Sequence, residues 1–154
     1  MSGDRAEKFV VLCLRLLAAG FFIAGVLFIA APDTIIDDLN DLGDSLGGFS
    51  DSPETGSRLW LALSFAYMMV IAAVCAVTQA DVVRYRPFIL VLVVAKVTSS
   101  LAALGFYLFD DDAFAYLAGF VVDAPLAIAA LWLWSLVSRI QRPVGAGADG
   151  PGPT

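Results

Sequence analysis

Two residues of opposite charge interrupt the most apolar stretches of this chain. Lys96 stands in VLVVAKVTSSLAALGF and Asp123 in FAYLAGFVVDAPLAIAALWLW, each flanked by runs of Val, Leu, Ala and Phe. A lone charge at the centre of a lipid bilayer costs about 2.5 to 3.5 kcal/mol on insertion scales, and a matched pair at one depth offsets that cost. Such a pair can relay a proton or hold a small ion or a lipid headgroup, or it can simply lock helices in register.

Depth along the chain supports the pairing. Lys96 lies nine residues past Pro87, and Asp123 lies ten past Ala113. At a helical rise of about 1.5 Å per residue both come to roughly 14 to 15 Å, the middle of a bilayer. The tight Asp110-Asp111-Asp112 turn between them makes their helices antiparallel neighbours. Ser99 and Ser100 share the side of Lys96 at helical spacing, and Ala103 and Tyr107 continue it, while Tyr116, Gly119 and Ala127 flank Asp123. Small and hydroxylic residues let helices approach closely and hydrogen-bond across the contact. Tyr67 falls about 12 Å into the preceding apolar block. These spacings predict a polar centre of Lys96, Asp123, Tyr67, Ser99 and Ser100. Pro125, closely following Asp123, is expected to kink its helix and free the carbonyl of Val121.

Arg15 is shallower, about 9 Å into the first block. Its side chain can reach the headgroup layer or meet Gln79 and Asp81, and with Arg84 and Arg86 it forms a candidate contact set for anionic headgroups.

The elements that position these residues follow from composition. The chain has 154 residues, 60% of them hydrophobic and 16% charged, and its mean hydropathy is +0.84, which excludes an ordinary water-soluble domain. Four apolar blocks, at 9–31, 59–80, 87–109 and 113–137, each exceed the roughly 20 residues needed to cross about 30 Å of hydrocarbon. The length of the first block, Arg15 within it and Pro32 after it favour a retained anchor over a removable signal peptide. The expected fold is all-α: an integral membrane, up-down four-helix bundle forming one domain over residues 1–137, with a disordered cytoplasmic tail at 138–154. The Trp and Tyr residues near the block ends, Trp60, Tyr85, Trp132 and Trp134, suit membrane interfaces; Phe21, Phe22 and Phe28 are expected to face lipid or neighbouring helices.

In the first loop, PDTIIDDLNDLGDSLGGF sets Ile35, Ile36, Leu39, Leu42 and Leu46 at helical spacing among aspartates. The pattern predicts a short amphipathic helix lying on the membrane surface or capping the bundle, followed by a flexible Gly/Ser/Pro return. Basic residues cluster before the first span (Arg5, Lys8), between the second and third (Arg84, Arg86) and after the fourth (Arg139, Arg142), while the opposite loops hold only Arg58 and are rich in aspartate. The positive-inside rule then puts both termini in the cytoplasm, in a cytoplasmic membrane, with a negative outer face.

Enzyme chemistry has little support. Without histidine the commonest general base and the usual haem and zinc ligands are missing, so no cofactor or metal is expected. Cys13 and Cys75 are not a CxxC pair and read as packing residues. No phosphate loop or hydrolase motif is present, and the net charge of −6 argues against nucleic acid. The expected role is therefore non-enzymatic. The leading form is an accessory or subunit that packs against another membrane protein or a second copy of itself within the lipid bilayer. The alternative is a carrier or binder of a proton, small ion or lipid through the intramembrane charged centre.

Overall fold

A computed structural model describes residues 3–52 and 58–140. The described residues form five helices, α1 (Gly3–Ala30), α2 (Pro32–Leu46), α3 (Arg58–Thr78), α4 (Arg86–Phe109) and α5 (Phe114–Ser138). Helices α1, α3, α4 and α5 are each long and apolar enough to cross a membrane, and they form the all-α four-helix bundle.

Helix α1 begins six residues before its apolar block, at Gly3 rather than residue 9. Apolarity sets what crosses lipid, whereas backbone hydrogen bonding continues into the polar flank, here supported by an exposed Lys8–Asp4 ion pair at 3.0 Å one turn apart. The other spans end within two residues of their apolar blocks. The helical part of α5 runs to Ser138, and most of the expected tail, 141–154, lies outside the described residues, as do 53–57 of the first loop. Helix α5 passes through Pro125 without interruption.

The spans pack as two hairpin-like pairs, α1 with α3 and α4 with α5, joined by lighter contacts of α3 with α4 and of α1 with α5. Since lipid tails are as apolar as leucine, close packing rather than apolar burial must hold such pairs together, and small residues permit it. A side-chain carbon added at Gly25 would sit 2.7 Å from Met69 Cε and 3.0 Å from Met68 Cβ, so α1 lies tightly against α3 there. On the other pair, one added at Gly119 would lie 3.5 Å from Ala103 Cβ, and Ala127 and Ala130 are buried. The apolar core gathers Val10, Leu14, Ile71, Cys75, Ile89, Leu92 and Leu133 in the half nearer the termini. Cys13 packs at its edge, and both cysteines are free thiols.

The turn from α1 to α2 is made by Pro32, which suits the first helical turn because it lacks an N–H, and by Ala31 at φ −146°, outside the helical region. At the other end Gly47, at φ +80°, closes α2 by donating its N–H to Gly43 and Asp44 carbonyls. Helix α2 packs on α5 and α1, so it caps the bundle. Its docking face differs from the apolar stripe expected from the sequence. Leu42 and Leu46 are exposed, and the buried residue is Gly43. Ile35, Leu39 and Gly43, at four-residue intervals, form the inward line. Gly43 is selected because a side chain there would meet Phe114 Cβ at 2.8 Å.

Beyond α2, Asn40 Nδ2 donates to the Ser52 carbonyl at 3.4 Å and Asn40 Oδ1 accepts the Ser52 N–H at 2.9 Å. Ser50 Oγ donates to the carboxylates of Asp111 and Asp112. The first and third interhelical loops are thus stitched together above the spans. Gly43→Val should lift α2 from α5 while leaving the four long helices intact. Faster amide exchange confined to 32–46, with unchanged total helicity, is the expected result.

Candidate functional site

The most buried charged group among the described residues is Lys96, whose side chain is 2% exposed against 17% for Asp123. Its Nζ donates to Asp123 Oδ1 at 3.0 Å. The second carboxylate oxygen accepts the Ser99 hydroxyl, and Ser99 also lies 3.3 Å from the Lys96 carbonyl. Both oxygens of Asp123 are therefore engaged, which is what a carboxylate held away from water requires.

Two aromatic rings complete the lysine's surroundings. Lys96 Nζ lies 4.3 Å from the centroid of the Phe21 ring and 5.5 Å from that of Tyr67. Ring faces carry partial negative charge and attract a desolvated ammonium. The cation is thus held by one carboxylate and two rings, contributed by α1, α3 and α5 around a residue of α4. All four spans converge on one charge.

Tyr67 Oη is buried with no partner at ordinary hydrogen-bond geometry, the Ser99 hydroxyl standing near enough to interact with it and Asp123 lying beyond. A buried, unpartnered phenol is an unusual expense in a folded protein. It borders a cavity of about 690 Å3 that runs between the two helix pairs from the ion pair to the underside of α2. Its polar end is formed by Lys96, Asp123, Ser99, Tyr67 and Ser64, and its apolar walls include Phe28, Ile35, Leu39, Ala118 and Leu126. Between Phe21 and Phe28 on α1 the cavity extends about 10 Å along the helix axis.

Four of the five expected centre residues, Lys96, Asp123, Tyr67 and Ser99, meet here. Ser100 does not. It is buried, but it faces a separate groove between α4 and α5 lined by Phe120, Ala124 and Ala127. One residue is a rotation of about 100° on a helix, enough to send adjacent serines to different sides. Phe21, expected to face either lipid or a neighbouring helix, takes the second course, but its contact with the lysine is one the residue types did not single out. Its depth, close to that of Lys96, is the signal that would have flagged it.

The arginines have different partners. Arg15 Nε donates to Gln79 Oε1 at 3.0 Å, joining α1 to the end of α3. Arg86 stacks over Trp134 at 4.5 Å and Arg84 over Tyr85 at 5.5 Å. Asp81 accepts the Arg84 backbone N–H at 3.0 Å as part of the α3–α4 turn. Each of the three expected headgroup contacts thus has a partner of its own within the protein. Among the described residues no group of three or more His, Cys, Asp and Glu could hold a metal ion.

Fold and site together define a compact helical protein with four helices able to cross a membrane and an ionic centre buried among them. Comparison with known protein families, with curated proteins and with solved structures finds no match.

Removing one member of a buried pair leaves the other uncompensated, at a cost of about 3 to 5 kcal/mol. Lys96→Met should lower the unfolding midpoint in detergent steeply. Combining Lys96→Met with Asp123→Leu should recover most of the loss, and the difference from additivity, read from the double-mutant cycle, measures the coupling.

Proposed function

We propose that this chain is a multi-pass protein of a cytoplasmic membrane that binds a small amphipathic molecule between its helix pairs, without transforming it. The observation that carries this reading is the cavity of about 690 Å3 with a polar base and apolar walls. Its size falls in the range of roughly 300 to 1,000 Å3 usual for small-molecule sites, which share this pattern of apolar lining with a few placed polar groups. A centre that served only to lock helices would have every polar atom paired and no space beside it. Here a phenolic hydroxyl stands unpaired at the cavity's edge.

This favours the carrier or binder alternative over the accessory-subunit expectation. Large exposed apolar residues occur on all four spans, among them Leu16, Leu59, Val94 and Ile128. That distribution is what contact with lipid demands and singles out no face for a protein partner.

Both termini are proposed to lie on the cytoplasmic side. Arg5, Lys8, Arg84, Arg86 and Arg139 share one end of the bundle, while the aspartates of α2 and of the α4–α5 turn share the other. A membrane-impermeant maleimide applied to intact cells should label Ser45→Cys in α2, and should label Arg84→Cys only after lysis.

Binding is tested by native mass spectrometry of the protein extracted directly from its membrane into polymer nanodiscs. The expected result is a non-protein adduct that is retained by the native chain and reduced at least tenfold by Ala118→Phe, which fills the cavity. A native chain that carries no adduct, or an adduct indifferent to Ala118→Phe, would overturn the reading.

A further inference from the structure

The geometry points to a ligand whose head is uncharged and accepts a hydrogen bond, a hydroxyl or carbonyl group on a single apolar tail, with the head at Tyr67 and the tail under α2. This rests on the binding reading above and adds the chemical class of what is bound.

Charge balance is the first ground. The base of the cavity holds one cation and one anion in direct contact at 3.0 Å, Lys96 with Asp123, so it carries no net charge to neutralise a third. A carboxylate or phosphate head would have to draw Lys96 from Asp123 and leave that carboxylate buried without its partner. An ammonium head would compete with Lys96 for Asp123 and leave the lysine against rings alone. Either exchange strands an ion in a low-dielectric site, where uncompensated charge is most expensive. A neutral head disturbs neither ion.

Hydrogen-bond balance is the second. The carboxylate is already in use, since one Asp123 oxygen takes the Lys96 ammonium and the other takes the Ser99 hydroxyl. The remaining faces of the ammonium are turned to the Phe21 and Tyr67 rings. What is left buried and without a partner is the Tyr67 phenol, whose O–H is free to donate, while Ser64 adds a more exposed hydroxyl beside it. A phenolic O–H is satisfied by an oxygen acceptor, and a site built around an unpaired donor discriminates strongly for a ligand that fills it.

Shape is the third. Away from this base the walls are Phe28, Ile35, Leu39 and Ala118, with no charged side chain among them. A single tail fits a space that extends about 10 Å along α1 and is roofed by a helix.

The test uses the full chain in lipid nanodiscs and three photoreactive probes of equal length, dodecanol, dodecanoate and dodecylammonium, each with a diazirine at the tail end and each at equal mole fraction in the bilayer. Crosslinks are mapped by peptide mass spectrometry. Outward-facing Leu16 and Val94, 65% and 64% exposed, report labelling from bulk lipid. The expected outcome is that dodecanol labels Phe28, Ile35 or Leu39 at least fivefold above those controls and at least fivefold above the two charged probes. Tyr67→Phe, which keeps the ring, should cut that labelling about fivefold, the loss of one hydrogen bond. Equal or stronger cavity labelling by dodecanoate or dodecylammonium, or no loss with Tyr67→Phe, would overturn the neutral-head inference while leaving a binding cavity in place. Cavity labelling by none of the probes above the controls would overturn the binding reading and the inference with it.

Discussion

Burial of one ammonium among four apolar helices is the constraint on which the rest of this structure depends. Lys96 is 2% exposed, and in a hydrocarbon setting that is tolerable only if the charge is answered from every side. Asp123 answers it from α5, Phe21 from α1 and Tyr67 from α3. Each helix therefore has one rotation that serves the lysine. An all-apolar bundle in lipid would lack such a reference, because any face of Leu and Val packs nearly as well against tails as against another helix. The ion pair thus does for this bundle what periodic apolar burial does for a soluble one.

The same requirement explains where the bundle is loose. The half nearer the termini is filled by Val10, Leu14, Ile71, Ile89 and Leu133, with the small residue Ala130 at a close contact. In the other half the α1–α3 and α4–α5 pairs are held apart by the lysine and its rings, and the space above them is open up to α2. A polar cluster of fixed geometry at mid-depth is incompatible with close approach of all four helices just beyond it. The cavity is the consequence, and its polar floor and apolar walls are inherited from the elements that create it.

Helix α2 roofs one end of that opening. Ile35 and Leu39 supply part of its wall, Gly43 lets the helix lie against Phe114, and the Asn40–Ser52 and Ser50–Asp111 contacts tie its far end to the α4–α5 turn. The aspartates of α2 face outward, so its acidity is a matter of solvation at the membrane surface and not of the site beneath.

Residue types and order alone determined the number of spans, their approximate ends, the presence of a helix in the first loop and the depths of Lys96 and Asp123. All of these are distances along the chain, fixed by a constant rise per residue and by where apolar runs start and stop. What a helix presents to its neighbour is an angle about its axis, and in a segment apolar on every face the period of 3.6 leaves that angle open. Tertiary packing therefore decided that Ser99 joins the ion pair while Ser100 turns into the α4–α5 groove. It decided that Phe21, free to face lipid or a neighbouring helix, lies against the lysine, and that Gly43 docks α2 in place of Leu42 and Leu46. It also decided the arginines' separate partners. The cavity itself exists only between helices far apart in sequence, where no local pattern could announce it.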